Sequence, residues 1–313
     1  MFKNKKKKND WWFWFAIGLS SYLLIAPNTT VIRVLVGHIE PFEFTFLRAI
    51  IVVCVSLPFI LFSIHKFNRR NLAFSLGAGL CMMAAIIAMT YAIKYSNASY
   101  AVIMSMLSPV TLIVLSRRMT KDRLSIRALS GVALAGVGAL IVVLAPVVLG
   151  GNTDSHLYPL ATCLMLINTV FFTLGIIFSR KSNEAGMSLA ANSGLMSLVI
   201  LAVSFLGMYS TQGLPTDIAQ FTLPTWIGIL YSSIVVVFIA RIMNIASYEH
   251  VGAATIGGLN YLGTIVAVII PIVLLGEKLS ITIVIGGIVI LLGVFLTEKH
   301  RTKMKHHKYM QPH

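Results

Sequence analysis

Arg48 stands about one helical turn inside an otherwise apolar run, where a charged side chain is costly and ordinarily faces protein or water rather than lipid. A guanidinium there is a fixed cation whose planar fork suits bidentate contact with a carboxylate or a phosphate. The opposing reading is structural: the side chain snorkels toward the interface, or pairs with Glu40 or Glu43 just upstream. Asn28 follows Pro27 in the first apolar run. Proline removes a backbone hydrogen bond and frees a carbonyl, so Pro27-Asn28-Thr29-Thr30 is a place for a helix to open toward a cavity, unless the threonine hydroxyls re-satisfy the kink. Asn168 is the positional counterpart of Asn28 in the second half, Asn260 and Tyr261 stand in the ninth run where Ser105 and Met106 stand in the fourth, and Tyr91 of the third run joins the candidate binding set. Unpaired amides in hydrocarbon are expensive, so Asn28, Asn168 and Asn260 are expected to share a central space. Pro27, Pro109 and Pro271 are the candidate hinges. Arg241, near the end of the eighth run, reads as a snorkelling side chain.

The missing chemistry narrows the class. Glu40, Glu43, Glu184, Glu249 and Glu277 all sit at run ends or in loops, so strict proton coupling lacks an obvious intramembrane carboxylate. There is no phosphate-binding glycine loop, no HExxH and no paired acidic residues of a hydrolase. Cys54, Cys81 and Cys163 are isolated in apolar runs and form neither a metal spacing nor a disulfide framework. No catalytic residue, metal site or cofactor is expected.

The elements that must position these residues are membrane spans. Apolar residues make up 57% of the chain and charged ones 11%, far from the balance of a soluble domain. Crossing a bilayer takes about 20 apolar residues, and ten runs qualify: 12–36, 44–64, 72–93, 99–116, 128–148, 158–178, 188–208, 223–243, 252–275 and 281–296. Shifting the sequence by 155 positions lays Asp122-Arg123-Leu124-Ser125-Ile126 on Glu277-Lys278-Leu279-Ser280-Ile281, Gly131 and Gly138 on Gly286 and Gly293, and Ala98 and Leu107 on Ala253 and Leu262. An odd-membered membrane repeat inserts its second copy upside down. The expected fold is therefore all-α and polytopic, ten transmembrane helices as two inverted five-helix repeats, an architecture of secondary transporters with the substrate site between the halves. The units are a basic tail at 1–11, a first repeat at 12–148, an extracytoplasmic linker at 149–157, a second repeat at 158–297 and a basic tail at 298–313.

With the amino terminus placed in the cytoplasm, 20 of the 25 lysines and arginines fall in inside segments, which supports a multi-pass cell-membrane protein with both termini cytoplasmic. The net charge of +15 then reflects orientation and attraction of the tails to anionic head groups, at about 1 kcal/mol per basic residue, rather than nucleic-acid binding. The lysine run before Trp11-Trp12-Phe13-Trp14-Phe15 resembles a secretory signal, but the apolar run is too long and no small-residue cleavage site follows, so an uncleaved signal-anchor helix is expected. The paired glycines, and the stripe Ala98, Ala101, Ser105 and Ser108, suit close helix packing.

Four pieces carry a family resemblance: Ala26-Pro27-Asn28-Thr29-Thr30, Phe44-Thr45-Phe46-Leu47-Arg48, Asp122-Arg123-Leu124-Ser125, and Gly276-Glu277-Lys278-Leu279-Ser280 ahead of a glycine-rich span. With them the chain, from Trp12 to Thr297, resembles an EamA-type member of the drug/metabolite transporter superfamily. It departs in two places: Met119-Thr120-Lys121-Asp122 replaces the pattern Leu274-Leu275-Gly276-Glu277, and the position of Arg48 in the second half falls near Ser193, so the arginine is not duplicated. The resemblance implies ten helices around a central cavity and export of amino acids, other small metabolites or toxic compounds. The expected function is a secondary carrier or facilitator of small polar metabolites, amino acids first, working by alternating access. Efflux of amphipathic toxicants, or a membrane-embedded lipid-handling or receptor role, are the alternatives. The expected partners are a small-molecule substrate and the anionic bilayer surface, with a homodimer admitted.

Overall fold

The structure is a computed structural model that describes residues 2–108, 110–111, 114–115, 126–148, 158–213, 221–251 and 253–309. Every regular element among them is helical: α1 Phe2–Ile25, α2 Asn28–Leu35, α3 Pro41–Ser63, a short 3₁₀ turn Ile64–Lys66, α4 Arg69–Tyr95, α5 Ala98–Ser105, α6 Ile126–Val148, α7 Tyr158–Glu184, α8 Leu189–Gln212, α9 Leu223–Leu230, a π-helix Tyr231–Ala240, α10 Arg241–Val251, α11 Ala253–Leu275 and α12 Ile281–Tyr309. Among the described residues, six stretches are long and apolar enough to cross a membrane: Trp11–Leu35, Pro41–Ser63, Arg69–Tyr95, Pro159–Glu184, Leu189–Gln212 and Leu223–Asn244. Ser130–Val142, Leu259–Leu275 and Ile281–Leu296 are shorter apolar helices. Pro109, the turn around Asp122 and the linker 149–157 lie outside the described residues.

Three of the ten runs are not the uninterrupted helices that hydropathy suggests. The first breaks at Ala26–Pro27, because Pro27 has no N–H to continue the ladder. The fourth leaves α5 through a turn at Met106–Leu107, where the Met106 N–H already bonds the Ile103 carbonyl. The eighth widens into ten residues of π-helix between α9 and α10, a rare geometry in which backbone bonds reach one residue further than usual.

Local chemistry sets the helix ends. Asn68 and Asn71 cap α4 reciprocally: the Asn71 N–H donates to Asn68 Oδ1 at 2.8 Å and the Asn68 N–H to Asn71 Oδ1 at 2.9 Å. Pro41 opens α3 at a position whose N–H would be unused in any case. Gly276, at φ +65°, takes the left-handed turn that ends α11 and swings Glu277 away from the helix axis.

Helices remote in sequence pair antiparallel. In α6 and α12, a Cβ on Gly138 would stand 2.8 Å from the Gly286 carbonyl oxygen and 2.6 Å from the Ile290 nitrogen. A Cβ on Gly293 would stand 2.7 Å from the Gly131 carbonyl oxygen and 2.4 Å from the Ala135 nitrogen. Only glycine allows two backbones so close. In α4 and α7, Gly77 lies against Phe178 while Ser75 Oγ meets Ser182 Oγ at 2.7 Å. In α3 and α8, Phe42 covers Gly207 and Ile60 covers Gly194. The bundle therefore has a termini end, where α1 starts, α4 starts, α7 stops and α12 stops, and an opposite, distal end. At the termini end α4, α7 and α8 are tied by a buried polar network. Ser75 donates to Asn192 Oδ1 at 2.8 Å, Ser182 to the Asn71 carbonyl at 2.9 Å, and Asn192 Nδ2 to Ser179 Oγ at 2.8 Å and Asn183 Oδ1 at 3.0 Å.

Candidate functional site

Arg48 projects from α3 toward the bundle interior. Ile50, Leu57 and Leu61, all at least 36% exposed, form a stripe about 180° around the helix from it. Phe59, on the same face as Arg48, meets Phe238 of the π-helix with ring centroids 6.0 Å apart, so this face looks toward the eighth span. Arg48 is only partly buried, and its nearest neighbours on that side of α3, Phe44, Thr45 and Val52, are buried. The structural pairing considered for it does not occur. Glu40 is bound by Lys94 at 2.6 Å, the Glu43 carboxylate accepts from Gln212 Nε2 at 2.9 Å, and Arg48 makes no hydrogen bond or ion pair to the described residues. The contrast with Arg33 is instructive: its Nη1 donates to the carbonyls of Ile93 and Lys94 at 2.6 and 2.8 Å and so closes the carboxyl end of α4. Arg241 is exposed and likewise has no partner among the described residues.

The broken first span stands at the depth of Arg48. Asn28 and Arg48 are each seven residues from the distal ends of α2 and α3, about 10 Å below them. Ser232 Oγ donates to Asn28 Oδ1 at 2.8 Å, and the Tyr231 hydroxyl donates to the Leu24 carbonyl beside the break. The opened helix is thus met by the start of the π-helix. The hydroxyls of Thr29 and Thr30 are buried and make no hydrogen bond to the described residues. They do not re-satisfy the break as a simple kink would. Above this level Tyr91 is partly buried between the rings of Phe42 and Tyr95, at 6.0 and 5.8 Å, next to the Glu40–Lys94 pair.

The three asparagines do not meet. Asn168 is 4% exposed, and its Nδ2 donates to the Ala85 carbonyl of α4 at 2.9 Å. It sits inside the α4–α7 interface, where close packing leaves the amide a backbone acceptor in place of a cavity. Asn260 is exposed and lies well away, around α11, from the lipid-facing stripe Leu262, Ile265 and Ile269. It stands seven residues from the start of α11 at the termini end, so it is on the interior side but at a different depth from Arg48. Tyr261 is partly buried and packs on the main apolar core. Pro271 lies within α11.

Sequence reasoning missed a polar contact that joins the two halves of the chain. The Glu277 carboxylate accepts from the Ala98 N–H at 2.8 Å, the Ser99 N–H at 2.9 Å and the Ser99 hydroxyl at 2.7 Å. It caps α5 from the opposite half of the chain. The signal was present, since Glu277 belongs to the repeated turn, but its partner lies 178 to 179 residues away.

Known proteins agree with this layout. The model of the EamA-like transporter family matches residues 11–144 and again 159–298. A protein of Clostridium kluyveri described as an uncharacterized transporter is 21% identical over 280 residues, 85% of this chain and 86% of its own. A crystal structure of a protein with 19% identity superposes with a TM-score of 0.61, covering 92% of this chain and 98% of that one.

Proposed function

The chain belongs to the EamA-like transporter family, and from that premise we propose that it is a secondary carrier for small carboxylate-bearing metabolites, amino acids foremost, exporting them by alternating access between two inverted halves. Arg48 is the observation that carries this reading. It is an intramembrane cation on the face of α3 opposite the exposed apolar stripe, with no counter-charge among the described residues. A guanidinium keeps its charge and is suited to a carboxylate. Asn28, Ser232 and Tyr231, which meet at the break of the first span at the same depth, support a polar lining for this site.

The glycine contacts support the inverted arrangement. Exchanging the halves by 155 positions turns the Gly138–Gly286 contact into Gly293–Gly131, and Gly138–Ile290 into Gly293–Ala135. A twofold axis exchanging the antiparallel α6 and α12 would be perpendicular to the helices, in the membrane plane, as the proposed inversion requires. The lysine and arginine bias favours the cytoplasm for the termini end. The test is a metabolite-release profile of cells expressing the wild type, Arg48→Ala or an empty vector. Carboxylate metabolites enriched outside wild-type cells alone support the proposal. Profiles that are equal in all three, with the protein present in the membrane, contradict it.

A further inference from the structure

At the termini end, between the start of α4 and the end of α7, a cavity of about 190 Å³ is lined by Arg70, Phe74, Lys181, Glu184 and Ala185. It lies roughly a bilayer leaflet away from Arg48 and takes no part in the proposed transport site. Its shape is held from within. The Ala185 carbonyl accepts from Asn68 Nδ2 at 3.2 Å, and the Lys181 ammonium stands 5.7 Å from the centroid of the Phe74 ring, which stacks on Phe178. Neither Arg70 nor Lys181 has a hydrogen-bond or ion-pair acceptor among the described residues, and Glu184, on the same wall, pairs with neither. The amino end of α4 and the carboxyl end of α7 meet here, so their helix dipoles offset. The positive balance comes from the side chains.

We infer that this cavity is a discrete binding site for the phosphate of an anionic phospholipid. Two unpaired cations, one of them an arginine with a bidentate fork, suit a phosphodiester oxyanion. Basic pockets between helices at a membrane surface receive such head groups. On the face of α7 that carries Lys181, the surface toward the bilayer core is apolar and open: Val170 is 43% exposed and Ile167 44%, with Phe171 at its edge 37% exposed. A ligand with a phosphate head and acyl chains fits both parts, whereas a soluble phosphate would use only the first.

The test uses the full chain, delipidated in detergent, with native mass spectrometry counting bound phosphatidylglycerol against phosphatidylcholine, with and without inorganic phosphate. Arg70→Gln and Lys181→Gln should each lower phosphatidylglycerol retention about fivefold, and the double variant about 25-fold. Arg69→Gln, exposed beside the pocket but not lining it, should change retention less than about twofold, a smaller effect than loss of a lining charge. Arg70→Lys, which keeps the charge, serves as the folding control and should retain the lipid. Equal losses in Arg69→Gln and Arg70→Gln would reduce the effect to diffuse surface charge and overturn the site. So would wild-type retention in the double variant. Displacement of the lipid by millimolar inorganic phosphate would overturn the lipid as occupant.

Discussion

Glu277→Ala should weaken the joint between the two halves by a measurable amount. In the structure one carboxylate satisfies two backbone N–H groups and one hydroxyl at the start of α5, at 2.7 to 2.9 Å. A hydrogen bond to a charged group nets about 1.5–3 kcal/mol, so three would suggest far more than a cap usually contributes. Glu277 is only partly buried, however, and water reaches the freed N–H groups. The loss should therefore fall near the upper end of measured caps, about 2 kcal/mol. Glu277→Gln keeps an acceptor oxygen without its charge and should lose about 1 kcal/mol. Ser99→Ala removes the hydroxyl alone and should lose about 0.5–1 kcal/mol. Lys278→Ala, exposed and adjacent, should stay within about 0.5 kcal/mol of wild type. The assay is reversible unfolding in mixed detergent–dodecyl sulfate micelles followed by far-ultraviolet circular dichroism. If Glu277→Ala matches Lys278→Ala, the cap contributes nothing and the reasoning fails.

Two further outcomes follow from the helix contacts. Gly138→Ala and Gly293→Ala should each destabilise by about 1–3 kcal/mol, because either new Cβ would press on partner backbone rather than on a movable side chain. Gly136→Ala, with open space around its Cβ, should be neutral or stabilising by up to about 1 kcal/mol; chemical denaturation of the three variants checks the contrast. Asn168→Ala should lose about 1 kcal/mol of stability with the Ala85 bond, yet leave solute flux within about twofold of wild type. A loss of flux without a loss of stability would return Asn168 to the binding site.

The helical class and the long apolar spans were legible because apolar length is a local signal. Arg48 stood out for the same reason, as a charge in an apolar run is visible without any tertiary knowledge. Its freedom from Glu40 and Glu43 was not, since that depends on Lys94 and Gln212 reaching those carboxylates from other helices. Asn168 misled because an amide in an apolar run reads the same whether it meets a cavity or a neighbouring carbonyl. The π-helix was hidden because hydropathy reports burial and not backbone pitch. The Glu277 cap and the basic cavity both join residues more than 100 positions apart, and no spacing rule connects them.

Counterflow in proteoliposomes tests the central claim most directly, comparing an amino acid with its carboxyl-amidated analogue in wild type, Arg48→Lys and Arg48→Ala. If Arg48 is the unpaired cation that receives the substrate carboxylate, wild type moves the acid and discriminates against the amide, Arg48→Lys moves the acid more slowly for want of a bidentate fork, and Arg48→Ala inserts but moves neither. Wild type carrying amide and acid alike, together with normal flux in Arg48→Ala, would make Arg48 structural and contradict the account.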